Sequence, residues 1–458
     1  MRSLKWIIIS LALLVVISGS ATVFARGSQS IPGPSGSFGS QFTIAALGRV
    51  ATNCLYQFFN PSGALIYTPD IPLLVWENSR SSTSLSDLVG FASGQYAGRV
   101  SCDQKVAIVT SQFTANSRSA YSSDTSRSST TWYVPDVFNN YYGYYSNLVV
   151  QNVSEATVAS ITVQIYNSSG ANVATQTATN VPANGYANFE QTGLANMVTN
   201  ALYSARVTAS GNVAVVANIF GQGALAGTLF TYMPFSSGAP TFYVPIVMKN
   251  YYGYRTAIVV QNIGSSATTV TVNYGNGVVD SRSNVNPLAS VEFYTPNNPQ
   301  IQDGTLTPAT IQSSNGQPIV ASVNEANSYN RTASYAGFSF SAGTQTVRAP
   351  TVLRRYNGYN TSVTCQNIGS ASTAMIIAYS GITGTSNPTT PTLNSISPNN
   401  LAMFYLPADT LVPDNYIGSA TVTSSSQSIV CVVNEDRNEG TDATTIFDQL
   451  SAYEAYNR

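Results

Sequence analysis

The sequence predicts an all-β fold: four tandem immunoglobulin-like antiparallel β-sandwich domains that follow a cleaved signal peptide. Two observations predict this class. Short segments rich in β-branched and aromatic residues alternate with turn residues, and no segment keeps a helical period. A Gln-Asn pair also recurs at Gln151, Gln261 and Gln366, about 105–110 residues apart, which is the length of a whole domain rather than of a solenoid repeat.

The N-terminus has the pattern of a secretory signal peptide over residues 1–25. A basic start precedes an apolar run at 7–17, and residues 23–25 form a small-residue cleavage pattern. An uncleaved membrane anchor is the alternative, but the small residues 18–20 shorten the apolar run and favour cleavage. No membrane span is therefore expected after signal removal, and residues 26–37, rich in Gly, Pro and Ser, are expected to form a flexible leader.

After the leader we expect a divergent β-sandwich domain at 38–130 and three β-sandwich repeats at 131–238, 239–345 and 346–458. The third domain shows the plan most clearly. A lead strand at 242–247 is followed by a Tyr-Tyr-Gly-Tyr turn and then by further short alternating strands separated by turn residues. This order predicts a string of similar modules.

The first domain departs from the repeat because no lead strand is evident before Phe42. Only the Gly-, Pro- and Ser-rich leader precedes that residue. A sandwich without its first strand exposes an unpaired edge. Two explanations stay open at this stage. The domain has a shortened edge or uses a poor strand near Ile31, or a strand from another subunit fills the gap by β-augmentation.

The composition excludes several classes of function. Charged residues make up 9% of the chain and the net charge is −1, so neither nucleic acid nor anionic lipid is expected as a partner. The chain has no histidine, which removes the commonest general base and the commonest zinc ligand. Carboxylates are few and mostly isolated, and no phosphate-binding motif occurs. We therefore expect no enzyme activity, no catalytic residues and no cofactor.

Four cysteines in an exported chain predict two disulfides. Pairing within domains, Cys54 with Cys102 and Cys365 with Cys431, is the simplest of the three connectivities. Each bridge would stabilise its domain by roughly 3–4 kcal/mol in the chain-entropy model.

A weak candidate for a calcium site is the acidic cluster of the last hairpin, formed by Glu435, Asp436, Glu439 and Asp442. The spacing does not match an EF-hand loop, and a solvated hairpin tip is the favoured interpretation. No other metal site is expected.

Tyrosine-rich turns recur at the same place in three domains, and they are candidate interface or ligand residues. Aromatic rings at loop tips pack on a neighbouring domain, contact another subunit, or stack on sugars. Packing between domains is the favoured interpretation, because a role in the fold explains the recurrence. The residues concerned are Tyr141, Tyr142, Tyr144, Tyr251, Tyr252, Tyr254, Tyr356 and Tyr359.

The spacing of these tyrosines, the Gln-Asn pair after the second strand and the closing Gly-Ser-Ala and Val-Asn-Glu segments resemble a family of secreted bacterial surface proteins. Those proteins are built from tandem immunoglobulin-like repeats and are largely uncharacterised. The resemblance covers residues 132–458 well and 38–130 weakly. It implies a fold and an extracellular location, but no catalytic residues.

We therefore expect a secreted, non-enzymatic structural protein in a filament, sheath or surface layer, or projecting as a surface stalk. Its expected partners are copies of itself or other surface proteins. An adhesin or carbohydrate-binding module that uses the tyrosine turns is the alternative, with glycans as the ligand.

Overall fold

The structure is a computed structural model of the chain. It describes residues 7–16, 39–47, 50–77, 79–89, 91–92, 94–113, 117–123, 127–381, 392–437 and 449–457. Strands dominate these residues, and the helical part consists of single turns of 3-10 helix at Leu85–Asp87, Gly223–Leu225, Thr295–Asn297, Phe340–Ala342 and Leu406–Ala408. Within this part of the chain, no helix has the length and apolar character needed to cross a bilayer. The predicted all-β class is confirmed, with several antiparallel sheets.

The strands fall into four successive units. The first unit holds β1 to β9, at Ile7–Val16, Gly39–Ala46, Thr52–Phe59, Leu65–Tyr67, Leu73–Val75, Arg80–Ser84, Gln95–Cys102, Val106–Phe113 and Arg118–Ser123. The second holds β10 to β17, at Ser129–Val137, Asn139–Tyr141, Tyr144–Asn152, Val158–Tyr166, Asn172–Val181, Tyr186–Glu190, Tyr203–Gly221 and Leu229–Tyr232.

The third unit holds β18 to β26, at Thr241–Tyr251, Tyr254–Asn262, Thr268–Tyr274, Val279–Val285, Ser290–Tyr294, Thr305–Ser313, Ile319–Ala326, Thr332–Ala336 and Phe338–Ser339. The fourth holds β27 to β35, at Thr346–Arg354, Asn360–Asn367, Thr373–Gly381, Thr392–Ile396, Leu401–Tyr405, Tyr416–Ser424, Ile429–Asp436, Leu450–Glu454 and Tyr456–Asn457.

Each unit repeats one antiparallel plan. In the fourth unit, the front sheet has the order β30-β29-β32-β27, and the back sheet has the order β31-β28-β33-β34. The first unit matches it with β4-β3-β7-β1 in front and β6-β2-β8-β9 behind. In the second unit the long strand β16 contributes one half to each sheet, because it pairs with β10 and β13 first and with β12 and β17 afterwards. Alternating apolar residues of the two sheets face each other, which is the packing of a β-sandwich.

The lead strands β10, β18 and β27 share a β-bulge at an Xaa-Pro step. Their register shifts after Val134, Val244 and Ala349, and in each case proline is the next residue. A proline has no N–H to give to the ladder, so a bulge is the place where a paired strand tolerates it. A buried tyrosine on β25 or β34 holds this bulge in place. The Tyr335 and Tyr453 hydroxyls bond the backbone of the bulged segment in the third and fourth units.

The lead-strand position of the first unit is occupied by β1, which belongs to the segment expected to be the signal peptide. This strand pairs antiparallel with β7, and its register shifts between Leu11 and Val15. Leu11 pairs with Gly98, the position that Ala205 holds in the second unit. The expectation that the domain has no lead strand is therefore corrected for the full chain. The rest of the predicted signal peptide and the leader at 26–37 lie outside the described residues.

A chain that begins at Arg26 is expected to exchange the amide protons of β7 with solvent faster than the full chain. The reason is that β7 loses the hydrogen-bonded neighbour on one of its two edges. Hydrogen exchange read by mass spectrometry on peptides covering 95–102 measures this directly, and peptides covering β32 in the fourth unit are the internal control. Equal exchange in the two chains would contradict the prediction, and it would mean that another strand covers this edge.

The four units close into a ring instead of forming a string. Each lead strand packs on the back sheet of the following unit: β1 on β12 and β16, β10 on β19 and β24, and β18 on β28 and β33. The lead strand of the fourth unit, β27, packs in the same way on β2 and β8 of the first unit. One strand of each unit lies at the centre, where β9 contacts β17, β17 contacts β25, β25 contacts β34, and β34 contacts β9.

The hydrophobic core continues from one unit to the next. One cluster joins Tyr121 of the first unit and Trp132 of the second to apolar residues of the third and fourth units. A second cluster places Ala107 and Val109 of the first unit against the core of the fourth. The units of this chain therefore share their hydrophobic core and are not separate modules. The physical reason is that each unit presents an apolar sheet face that only its neighbour covers.

Candidate functional site

The Gln-Asn pair of each repeat makes hydrogen bonds that stabilise the fold. The Asn152 side chain donates to the carbonyls of Ala156 and Val181 at 2.8 and 2.9 Å, and Asn262 and Asn367 make the same pair of bonds in their own units. The glutamine reaches the preceding unit instead. Gln151, Gln261 and Gln366 donate to the carbonyls of Gly98, Ala205 and Ala309 at 3.3, 3.4 and 3.3 Å. This recurring motif therefore holds each unit to the one before it.

The tyrosine turns pack forward, onto the following unit. The Tyr141 hydroxyl donates to Glu292 of the third unit at 3.0 Å, and the Tyr254 hydroxyl donates to Asp436 of the fourth. Around the closure of the ring, the guanidinium of Arg118 in the first unit lies over the Tyr359 ring, 4.6 Å from its centre. Tyr141, Tyr254 and Tyr359 thus contact a neighbouring unit.

The remaining turn tyrosines have other surroundings. Tyr144 stacks edge-on against Phe230 of its own unit, with 5.2 Å between ring centres. Tyr251 and Tyr356 are half-buried. Tyr142 and Tyr252 stand at the turn tips with 70% and 84% of their surface exposed. These two residues also have a backbone φ of +49°, a value that residues other than glycine rarely adopt. The tight turn that each forms with the glycine after it requires this conformation.

The junction between the fourth and first units is held by charge. Arg118 forms an ion pair with Glu435, whose side chain is 2% exposed, and its Nε also donates to Ser451 at 3.2 Å. The Tyr456 hydroxyl accepts the backbone N–H groups of Ile108 and Ser123 at 3.0 and 2.6 Å. We call this set of contacts the closing seam. It joins the fourth unit to the first, two units that do not follow each other in the chain.

Arg80 adds a second cation to the closing seam. It is 7% exposed, and one of its terminal nitrogens donates to Thr43 at 3.0 Å. Burial lowers the pKa of Arg80 to about 10, and the nearby Glu435 carboxylate acts in the opposite direction. The seam thus brings Arg80, Arg118 and Glu435 close together in a chain of which charged residues make up 9%.

Carboxylates also stand at the other junctions. The Asn324 amide donates to Asp136 of the second unit at 2.8 Å, and the Asn434 amide donates to Glu325 of the third at 2.7 Å. Both carboxylates are fully buried. Burial raises the pKa of Asp136, and burial raises the pKa of Glu325 to about 8. The amide bonds act in the opposite direction because they favour the ionised form.

Because of Glu325, the free energy of unfolding is expected to fall as pH rises from about 5 to about 8. The folded protein keeps a proton on this carboxyl up to about pH 8, whereas its ordinary pKa is 4.5, so the folded state binds more protons in that window. Glu325→Gln, which stays neutral, should flatten this slope. Urea unfolding at pH 5 and pH 8 measures it, with Glu155→Gln on an exposed loop as the control. A slope that survives Glu325→Gln would contradict the assignment.

A cavity of about 460 Å³ lies where the four units meet. Its walls include Ser122 of the first unit, Phe235 of the second, Phe338 of the third and Glu454 of the fourth. The Glu454 carboxylate accepts bonds from the Ser122 hydroxyl and from the Ala336 backbone N–H. The Glu454 carboxylate therefore connects the first, third and fourth units at this point.

The structure joins Cys54 to Cys102 and Cys365 to Cys431. Both bridges link directly paired residues of neighbouring strands, β3 with β7 and β28 with β33, and their Cα atoms lie 4.2 and 4.0 Å apart. The first bridge lies in a front sheet and the second in a back sheet.

The acidic cluster of the last hairpin is only partly described. Glu439 and Asp442 lie outside the described residues. Glu435 and Asp436 are buried on β33, so the interpretation as a solvated tip is wrong for these two. Each is paired with an arginine, Glu435 with Arg118 and Asp436 with Arg331 at 2.7 Å. Among the described residues, no group of three or more metal-ligating side chains converges.

Sequence reasoning missed Arg118 and Arg331. Neither belongs to the repeated motif, and the partner of each stands in another unit. The one available signal was the scarcity of charge itself, since buried charges in such a chain need specific partners.

Comparison with protein-family models finds no match, and comparison with curated proteins finds no significant match.

Proposed function

We propose that the protein is a secreted, non-enzymatic structural protein, built from four immunoglobulin-like domains, that forms or decorates an extracellular assembly such as a filament, sheath or surface layer. One observation carries the proposal. The side chains that recur in the repeat, together with several charged groups, hold the units to each other. The chain has few charged residues, 9% of the total, and a net charge of −1, which suits side-by-side packing of copies.

The two disulfides support export. Disulfides persist in oxidising compartments and are rare in reducing ones, and all four cysteines of the chain are paired. The N-terminal pattern of residues 1–25 agrees with export through a signal peptide.

Strand addition at the first domain is a route for assembly. Once residues 1–25 are removed, the edge of β7 that β1 covers in the full chain is open to another strand. The three internal lead strands indicate what this position accepts, namely an apolar strand with an Xaa-Pro step at the bulge.

Electron microscopy tests the proposal. Labelled antibodies against the protein should decorate an ordered layer, sheath or filament on native cells, and the purified protein should form related assemblies. A protein that is strictly monomeric and absent from every surface structure would refute it.

An adhesin or carbohydrate-binding protein is the second candidate, and the exposed rings of Tyr142 and Tyr252 favour it. These rings stand at equivalent turn tips, and each lies edge-on to its neighbour, Tyr141 or Tyr251, with 4.9 and 4.8 Å between ring centres. Exposed aromatic faces of this kind stack on sugars. A glycan array with the Tyr142→Ala/Tyr252→Ala variant distinguishes the candidates. Binding that the variant loses supports the adhesin, and a blank array argues against it.

A further inference from the structure

The cavity where the four units meet has a lining of two kinds. The buried part of the lining is apolar and includes the rings of Trp132, Phe242 and Phe338. The exposed part includes Ser236 and Ser237, so the cavity opens to solvent on that side. Its volume of about 460 Å³ lies within the range of small-molecule pockets, which is about 300–1,000 Å³.

A carboxylate in the cavity wall departs from the repeat. In each unit a buried tyrosine lies on the central strand, and the residue after it is Ser122, Met233, Ala336 or Glu454 in chain order. Three of these residues carry no charge, so the fold does not require a carboxylate at this position. Ser122 and Ala336 line the same cavity as Glu454, which shows that equivalent positions of three units meet there.

Arg127 stands beside this carboxylate. Its Nη2 lies 3.9 Å from Glu454 Oε2, and the two side chains are 26% and 4% exposed. Among the described residues that line the cavity, these two are the charged ones. Because the pair carries one charge of each sign, it favours a neutral ligand over an acidic or a basic one. A guanidinium donates hydrogen bonds and a carboxylate accepts up to about four, so the pair offers both to a ligand.

Hydroxyl groups are spread over the rest of the lining. They belong to Ser122, Ser236, Ser237, Ser339, Ser341 and Thr344. A hydroxyl both donates and accepts, so these groups match a ligand with hydroxyls distributed around an apolar ring. An amino acid, with two opposite charges at one end, matches them less well. A saccharide has the required pattern, because its C–H face packs on aromatic rings while its hydroxyls bond to polar side chains.

We propose that this cavity binds a neutral saccharide of one or two rings, with Arg127 donating to its hydroxyls and Glu454 accepting from them. The inference goes beyond the proposed structural role. It also differs from the adhesin candidate, because the site is the cavity between the units and not the exposed rings of Tyr142 and Tyr252.

Isothermal titration calorimetry of the purified protein tests the proposal, with galactose, N-acetylglucosamine, cellobiose, lactose and, for comparison, phenylalanine as probes. At least one of the sugars should bind saturably. Arg127→Gln should weaken that binding about tenfold or more, the effect of losing a hydrogen bond to a charged group. The matched control is Arg282→Gln, which alters an ion pair away from the cavity and should bind like the wild type.

A second variant, Ser237→Trp, keeps the test independent of the Arg127–Glu454 pair. Ser237 is exposed at the mouth of the cavity, so a large side chain there should block entry of the sugar and abolish binding. Because the position is exposed, the thermal midpoint of this variant should match that of the wild type.

Three results would overturn the proposal. One is the absence of saturable binding by any of the four sugars at about 10 mM, a concentration at which even millimolar affinities are detected. Another is binding of phenylalanine in their place. The third is sugar binding that Ser237→Trp leaves intact and Tyr142→Ala/Tyr252→Ala removes, which would place the site at the turn tips.

These outcomes are separable from those for the proposed function. Assemblies seen by microscopy without sugar binding in the cavity would leave the structural role standing. Sugar binding that Ser237→Trp abolishes, in a protein absent from every surface structure, would keep the site and refute the role.

Discussion

Replacing Arg118 by alanine is expected to lower the free energy of unfolding by about 3–5 kcal/mol, because the change leaves a buried carboxylate without its partner. Glu435 stands on β33 of the fourth unit, its side chain is 2% exposed, and Arg118 comes from β9 of the first unit. The substitution also removes the bond to Ser451 and the contact over the Tyr359 ring. Urea unfolding at neutral pH measures the loss.

The matched control is Arg282→Ala. Arg282 also forms an ion pair, with Asp280, and it lies over an aromatic ring, that of Phe293. Its side chain is 40% exposed, so the loss of the pair should cost less than about 1 kcal/mol. Equal effects of Arg118→Ala and Arg282→Ala would contradict the claim that the closing seam is a buried, stabilising contact.

Removal of the disulfide in the fourth unit should cost about 4 kcal/mol, from the loop of 66 residues that it closes. The variant Cys365→Val/Cys431→Ala isolates the cross-link from the packing. At the same two positions the third unit has the directly paired Val260 and Ala321, so the replaced side chains reproduce a pair that this fold already accommodates.

Calorimetry or urea unfolding of this variant measures the effect, and the wild type under reducing conditions is the comparison. The reduced wild type should lose more stability than the variant, because reduction also opens the bridge between Cys54 and Cys102. A variant as stable as the oxidised wild type would show that the bridge adds nothing beyond the apolar packing at that position.

The strands and their repetition could be predicted from the sequence because they depend on local patterns. Alternation of apolar residues over 268–274 is enough to predict β20, and glycine and proline punctuate the turns around it. Pairing of Cys54 with Cys102 also follows from their place within one repeat.

The closed ring could not be predicted in the same way. Arg118 and Glu435 are 317 residues apart, and nothing near either one in the sequence identifies the other. The tyrosine turns illustrate the same limit. Their recurrence predicted a packing role, yet whether a given ring is covered depends on the neighbouring unit, as the contrast between Tyr254 and Tyr252 shows.

The lead strand of the first unit was missed for a different reason. The apolar run at 7–17 was assigned to export, and that assignment left no strand for the position next to β7. A segment that is apolar and lacks charge suits both an exported leader and a buried strand, so its composition alone cannot separate the two.

Small-angle X-ray scattering of the monomeric fraction tests most directly the claim that the four units close into one compact body. A ring predicts a radius of gyration of about 23 Å, the value for a single compact chain of this length. Opening of the ring by Arg118→Ala should raise that value. A wild-type radius well above this figure, with the scattering profile of an elongated string, would contradict the closed ring and with it the role assigned to the closing seam.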